Sequence, residues 1–317
     1  MMKIKLDVER YAFPVGGRVA GIVNLVVKEL LPIRGVRVKL YGYERELHGV
    51  PPRSPFEGLR VPRVGKGAVE LFNKEMVLTG REPFQSRAEA LADAWGYMLG
   101  RRRYPILQPG EYGYPFSIDL PFDLLPTYVG GRCEVRYFLM ADVDIPRGLG
   151  FRQPSTCKEI KVIALPMVGK PASKTATESA AGVGGKAALT VGVGSDVVAL
   201  GGKLAVQYRI GNPDGQSIRG IRGSIVRVEN TKRRGSESKL EDEMSQHIQP
   251  FEDPTARDQG GEFSLSVPMD AAPSFEGKCA GMNYKLRVRT EVEWNFEAEV
   301  TLDIKVAPSA AGEQATT

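Results

Sequence analysis

A chain of 317 residues with 42% apolar and 26% charged residues has the make-up of a globular protein, long enough for about two domains that each bury a core. Lys and Arg outnumber Asp and Glu by 43 to 38, a net charge of +5 that favours acidic partners. His48 and His247 are the only histidines, and Cys133, Cys157 and Cys279 lack CxxC spacing, so most zinc sites and histidine-dependent nucleophiles are excluded.

The N-terminal MMKIKLDVER mixes charge with apolar residues and has no hydrophobic stretch, so no signal peptide is expected. No uncharged apolar run is long enough for a spanning helix. Arg18–Lys28 (RVAGIVNLVVK) and Val36–Glu46 (VRVKLYGYERE) alternate apolar and polar residues, the period of a half-buried strand. Arg34, Arg37 and Lys39 line the second as candidate contacts for an anionic partner, since guanidinium forks suit phosphate and carboxylate.

From His48 to Tyr112 the pattern breaks. A basic run occupies Arg60–Lys66, and Ser86–Arg103 (SRAEALADAWGYMLGRRR) predicts a helix. Ser86 and Glu89 form a capping box, and Ala88, Leu91, Ala92, Trp95, Met98 and Leu99 recur at helical spacing. Gly100 is placed to stop the helix, and Arg101, Arg102 and Arg103 suit its negative end. The apolar stripe reads first as packing on a sheet. The alternative is an interfacial helix with Leu91, Trp95 and Leu99 in a membrane surface and the three arginines on anionic headgroups.

Alternation resumes at Gly113–Leu120, Glu134–Pro146 and Lys158–Leu165. In the second of these, Val135, Tyr137, Leu139, Ala141, Val143 and Ile145 share one face, and Arg136, Asp142 and Asp144 share the opposite, solvated one. Residues 166–186 are rich in Ala, Gly, Ser and Thr and read as a linker, alone or with an irregular strand. Strands follow at Lys203–Ile210, Gly223–Val228, Glu262–Val267 and Lys285–Val300, the last with an outward row of Lys285, Arg287, Arg289, Glu291 and Glu293. Glu237–Ile248 is a weaker helix candidate, Lys232, Arg233 and Arg234 form a second candidate anion contact, and residues 309–317 read as a disordered tail.

Many short strands separated by Gly, Pro and Asn turns, with long helical patterns missing, predict an all-β protein. It comprises two immunoglobulin-like antiparallel β-sandwich domains in tandem, residues 1–165 and 187–308, with one short amphipathic helix in the first.

The order of motifs resembles the arrestin fold. PVGGRVAGIVNLVVKELLPIRGVRVKLYGYERE is similar to the opening of an arrestin N-domain, and LQPGEYGYPFSIDLPFDLLPTYVGG with CEVRYFLMADVDIP to its later strands. GGKLAVQYRIGN, IRGIRGSIVRVEN and FSLSVPMDAAPSFEG with MNYKLRVRTEVEW resemble an arrestin C-domain. Arrestins, arrestin-domain-containing proteins, the arrestin-like retromer subunit and bacterial sporulation-control proteins share these motifs. The resemblance implies a cytoplasmic, non-enzymatic adaptor or scaffold for protein or peptide partners, acidic or phosphorylated ones among them, in trafficking or signalling. The only Pro-Pro pair, Pro51–Pro52, is followed by Arg53 and Ser54, so the ligase-recruiting PPxY motif of some relatives does not carry over.

Catalysis is not expected. GVGGKAALT fails the P-loop pattern, because Ala187 follows Lys186 and Ala180 stands where the first glycine belongs. Glu241, Asp242 and Glu243 lie in a solvated run, where carboxylates are poorly tuned for acid–base work. Cofactor and metal are expected to be none. Nucleic acid is disfavoured, since no basic motif interleaved with aromatics appears.

Overall fold

The computed structural model describes residues 2–47, 68–147, 150–165, 171–182, 185–233, 236–292 and 298–309. The chain divides into two units, Met1–Val129 with Glu134–Ala164, and Gly130–Cys133 with Leu165–Thr317.

In the first unit the strands are β1 (Met2–Val8), β2 (Ala12–Pro14), β3 (Arg18–Val27), β4 (Leu31–Pro32), β5 (Gly35–Glu46) and β6 (Val69–Gly80). Helix α1 (Arg87–Met98) follows, then β7 (Ile106–Leu107), β8 (Gly110–Asp119), β9 (Tyr128–Val129), β10 (Cys133–Arg147), β11 (Gly150–Arg152) and β12 (Ser155–Ile163). One sheet runs β1-β3-β8 and the other β2-β12-β10-β5-β6, with β9 and β11 hairpinned on β10. Val19, Val23 and Leu25 of β3 and Ile118 of β8 are buried with Val36, Val38 and Leu40 of β5 and Val135, Tyr137, Leu139 and Val143 of β10. The period-two rows read from the sequence are these core rows.

The second unit holds β13 (Lys174–Gly182), β14 (Gly185–Val193), β15 (Val197–Ala199), β16 (Lys203–Gly211), β17 (Ile218–Arg233) and β18 (Ser236–Pro250). It continues with β19 (Asp258–Ser266), β20 (Phe275–Glu276), β21 (Ala280–Val292) and β22 (Glu299–Ala307). Its sheets run β13-β14-β16-β19 and β15-β22-β21-β17-β18, with β20 on β21.

The second unit repeats the first in detail. The short strands β2 and β15 each join the last strand of their unit in parallel, β12 and β22. Each is followed by a glycine at positive φ, Gly16 at 71° and Gly201 at 74°. That conformation strains any residue with a Cβ, and an added Cβ would also strike Phe122 over Gly16 and Met269 over Gly201. Tyr137 donates its hydroxyl to the Leu125 carbonyl at 2.7 Å, and Tyr284 donates to Ala272 at 2.6 Å. Each bond reaches back twelve residues and pins a corner of its sandwich. The segment α1 to β7 has no counterpart in the second unit, where β18 passes to β19 with no helix between them.

Four expectations are corrected. Glu237–Ile248 is not helical: it lies in β18, paired with β17 across a bulge at Ile225 and Val226. Pairing with β17 along most of its length holds it extended against its local helix preference. Lys285–Val300 is two strands rather than one, since Arg289 of β21 pairs with Glu299 of β22 in an antiparallel hairpin. The alternation misleads because both legs turn charge to the same face. The strand allowed for within residues 166–186 is regular rather than irregular: residues 174–182 form β13, paired with β14 from Lys174 opposite Val193 to Gly182 opposite Gly185. The face of β10 read as solvated is largely buried, with Glu134, Phe138, Met140 and Asp144 all inaccessible. Tyr43 stacks on Phe138 at 6.0 Å, and Glu134 accepts from Tyr43 and Arg136 at 2.9 Å each. Side chains there satisfy one another instead of water. His48, Arg60–Lys66, Pro51–Pro52, Trp294 and the tail beyond Ser309 lie outside the described residues.

The repeated tyrosine corner can be tested directly. Tyr137→Phe and Tyr284→Phe should each cost about 1 kcal/mol of stability, the worth of one buried hydrogen bond. The two losses should add to within about 0.5 kcal/mol, since the sites share no partner. Urea denaturation of the two single variants and the double variant measures this.

Candidate functional site

Helix α1 begins as its sequence dictates. Ser86 is extended and its hydroxyl accepts from the Glu89 N–H at 3.1 Å, while the Glu89 carboxylate accepts from the Gln85 N–H at 2.8 Å. This is the capping box, set one residue back on its return arm. The helix closes with Leu99 N–H on Trp95 and Gly100 N–H on Tyr97, and Gly100 takes φ 68°.

Its orientation is the reverse of the first expectation. The buried residues are Asp93, 3% exposed, and Ala94, 1% exposed. The apolar stripe faces out: Leu91 is 44% exposed, Trp95 50%, Met98 48% and Leu99 56%. The cause is Asp93. Its carboxylate accepts from Arg102 and from the Tyr104 hydroxyl, takes Arg81 Nη1 at 3.3 Å, and lies 3.6 Å from Arg34 Nε. A buried carboxylate is tolerated only when donors surround it. Those donors lie in the residues just before β5, just after β6 and just after the helix, so the Asp93 side of α1 must face the sheet. Burial and the hydrogen bond to Asp93 push the Tyr104 phenol well above its usual range, so Tyr104 remains a donor.

The network continues inward. Arg34 lies with its guanidinium 3.6 Å from the centre of the Phe84 ring and reaches Asp144 at 3.4 Å. Arg37 contacts Asp142 and Asp144 at 2.8 Å each and Glu75 at 3.4 Å. Burial works against its charge, but Asp142, Asp144 and Glu75 outweigh that and hold the guanidinium pKa above its usual value. Burial raises the Asp142 carboxyl, which Arg37 offsets only in part.

The candidate residues therefore divide. Leu91, Trp95 and Leu99 come together on one exposed face, with Arg101 and Arg103 exposed beyond it. Arg102 belongs to Asp93. Arg34 and Arg37, 4% and 5% exposed, are corrected from anion contacts to internal partners of acids. Lys39 is half-buried, its ammonium 5.8 Å from the Tyr41 ring. Lys232 is exposed on β17, 3.4 Å from Glu276. Arg233 ends β17, where side chains are not described, and Arg234 lies outside the described residues. Asp93 was missed by sequence reasoning. Its signal was present: it shares the helix side opposite the stripe with Ala90, Ala94 and Tyr97, a surface small enough to approach a sheet closely.

Among the described residues no group of His, Cys, Asp or Glu is placed to hold a metal, and no helix is long and apolar enough to cross a membrane.

Two tandem sandwiches of one repeated topology, with helix α1 inserted in the first, define the arrestin class of fold. The family model of the arrestin (or S-antigen) N-terminal domain matches residues 2–167, and that of the C-terminal domain matches residues 184–310. The chain belongs to the arrestin family, whose members are generally non-enzymatic adaptors. A search of the curated proteins finds no match.

The orientation of α1 is open to test. Asp93→Ala should cost about 3 kcal/mol or more, because it removes the acid on which Arg81, Arg102 and Tyr104 converge and leaves the buried Arg34 with Asp144 alone. Trp95→Ala should stay within about 0.5 kcal/mol of the parent, as exposed substitutions do. Urea denaturation of the two variants distinguishes an outward stripe from a packed one, for which the Trp95 loss would be the larger.

Proposed function

We propose that the chain is a non-catalytic adaptor that holds an extended acidic or phosphorylated segment of a protein partner along an open sheet edge, in the cytoplasm, in trafficking or signalling. The observation that carries this reading is the edge strand β1. Among the described residues it pairs with β3 alone, so its other side offers backbone N–H and C=O groups to an incoming strand. Lys3 and Lys5 stand exposed at alternate positions along it. Lys5 lies 2.9 Å from Asp7, an exposed pair that a partner carboxylate can displace at little cost. Three other edges suit an acidic strand less well. Strand β18 carries Glu237, Glu241, Asp242 and Glu243, β19 carries Asp258 and Glu262, and Pro115 interrupts β8. None of the three cysteines is in a disulfide, which fits a reducing compartment.

An acidic peptide of alternating β-branched residues, followed by fluorescence polarisation, tests the reading. Lys3→Glu with Lys5→Glu should weaken its binding by about tenfold or more, since like charges face each other across the new pair. Amide exchange should slow across β1 when the peptide binds. Equal binding by the charge-reversed variant, with β1 amides still exchanging, would sink the proposal.

A further inference from the structure

The adaptor reading leaves α1 unused, and the inference here does not depend on that reading. The outward side of the helix is a continuous row of Ala88, Leu91, Ala92, Trp95, Met98 and Leu99 with no charged or hydrogen-bonding residue except the Trp95 ring nitrogen. At 1.5 Å per residue the row is about 16 Å long. Monomeric proteins seldom leave such a row bare without use. Ile106, which opens β7, is also 58% exposed.

The cations frame the row. Arg87, Arg101 and Arg103 are exposed, and none has an acidic partner among the described residues. Arg102, by contrast, is held by Asp93. Of the two acids on α1, Asp93 is buried on the inner side and Glu89 accepts from the Gln85 N–H. An apolar ridge flanked by free guanidinium groups complements a soft apolar layer covered with negative charge.

We infer that α1 is a docked interfacial anchor for an anionic lipid surface. The helix need not leave the sandwich. Asp93 and its donors hold the inner side, and the outer side enters the boundary between headgroups and acyl chains as it stands. Interfacial helices sink about 5–10 Å, roughly the height of one row of side chains. Trp95, amphipathic and central, takes the headgroup level that indole rings prefer. Arg101 and Arg103 reach lipid phosphates and carboxylates just past the C-terminal end.

The full chain is tested by flotation with vesicles of phosphatidylcholine alone and of phosphatidylcholine with phosphatidylserine. Binding is expected to the second and to weaken with added salt. Trp95→Ala with Leu99→Ala should lower partitioning by about tenfold or more, and Arg101→Glu with Arg103→Glu by about tenfold or more. All four positions are exposed, so thermal melting should be unchanged in both double variants, and acidic-peptide binding at β1 should persist. Brominated phosphatidylserine should quench a tryptophan signal that the Trp95→Phe variant lacks. Absence of vesicle binding, or binding indifferent to both double variants, overturns the inference. So does loss of a protein complex on changing the stripe while vesicles are ignored, which would make the ridge a protein contact instead.

Discussion

A carboxylate taken out of water must be met by donors, and Asp93 is met by four. Arg34, Arg81, Arg102 and Tyr104 come from three separated stretches of the chain, and only one placement of α1 brings them together. Arg34 passes the constraint to Asp144, and Arg37 binds Asp144, Asp142 and Glu75 in turn. A continuous polar network thus runs from the helix to the middle strands of the larger sheet. Such networks are costly when incomplete and specific when complete. This one decides which side of α1 meets the protein and therefore which side meets the surroundings.

The sandwich core was legible because burial in a sheet writes itself at period two. The row through Val135, Tyr137 and Leu139 is buried as its alternation implies. The ends of α1 were legible as well, since Ser86, Glu89 and Gly100 act within a few residues. The facing of α1 was not. An apolar stripe normally marks the packed side, and here an acid with two alanines took that side because distant arginines supply the stabilisation. The same long-range pairing hid the burial of Arg34 and Arg37, which look like free cations until Asp142, Asp144 and Asp93 are seen beside them. Strand β18 misled because acidic, Met- and Gln-bearing segments favour helix locally, whereas pairing with β17 fixes it extended. Strand β13 was obscured by small residues that carry no period.

The two units differ in how they handle charge on the sheets that carry β10 and β21. In the first, Asp144, Glu134 and Arg37 are closed over by neighbouring side chains. In the second, Arg287 and Arg289 pair at 2.6 Å with Glu241 and Glu299 in half-exposed ladders. Ladders of that kind add little stability but keep a broad sheet face soluble. Buried pairs instead impose a unique arrangement, which is what an inserted element requires.

That difference makes the inserted segment and its host electrically interdependent. The second unit shows that this topology can be completed without any helix between the corresponding strands. The first unit could not revert to that plainer form by simple excision, since removing the helix would leave Arg34 deep in the fold with Asp144 as its remaining counter-ion. A substitution on the outward ridge leaves the fold itself intact, whereas the hidden acid behind it and the basic residues that meet it must change together or not at all.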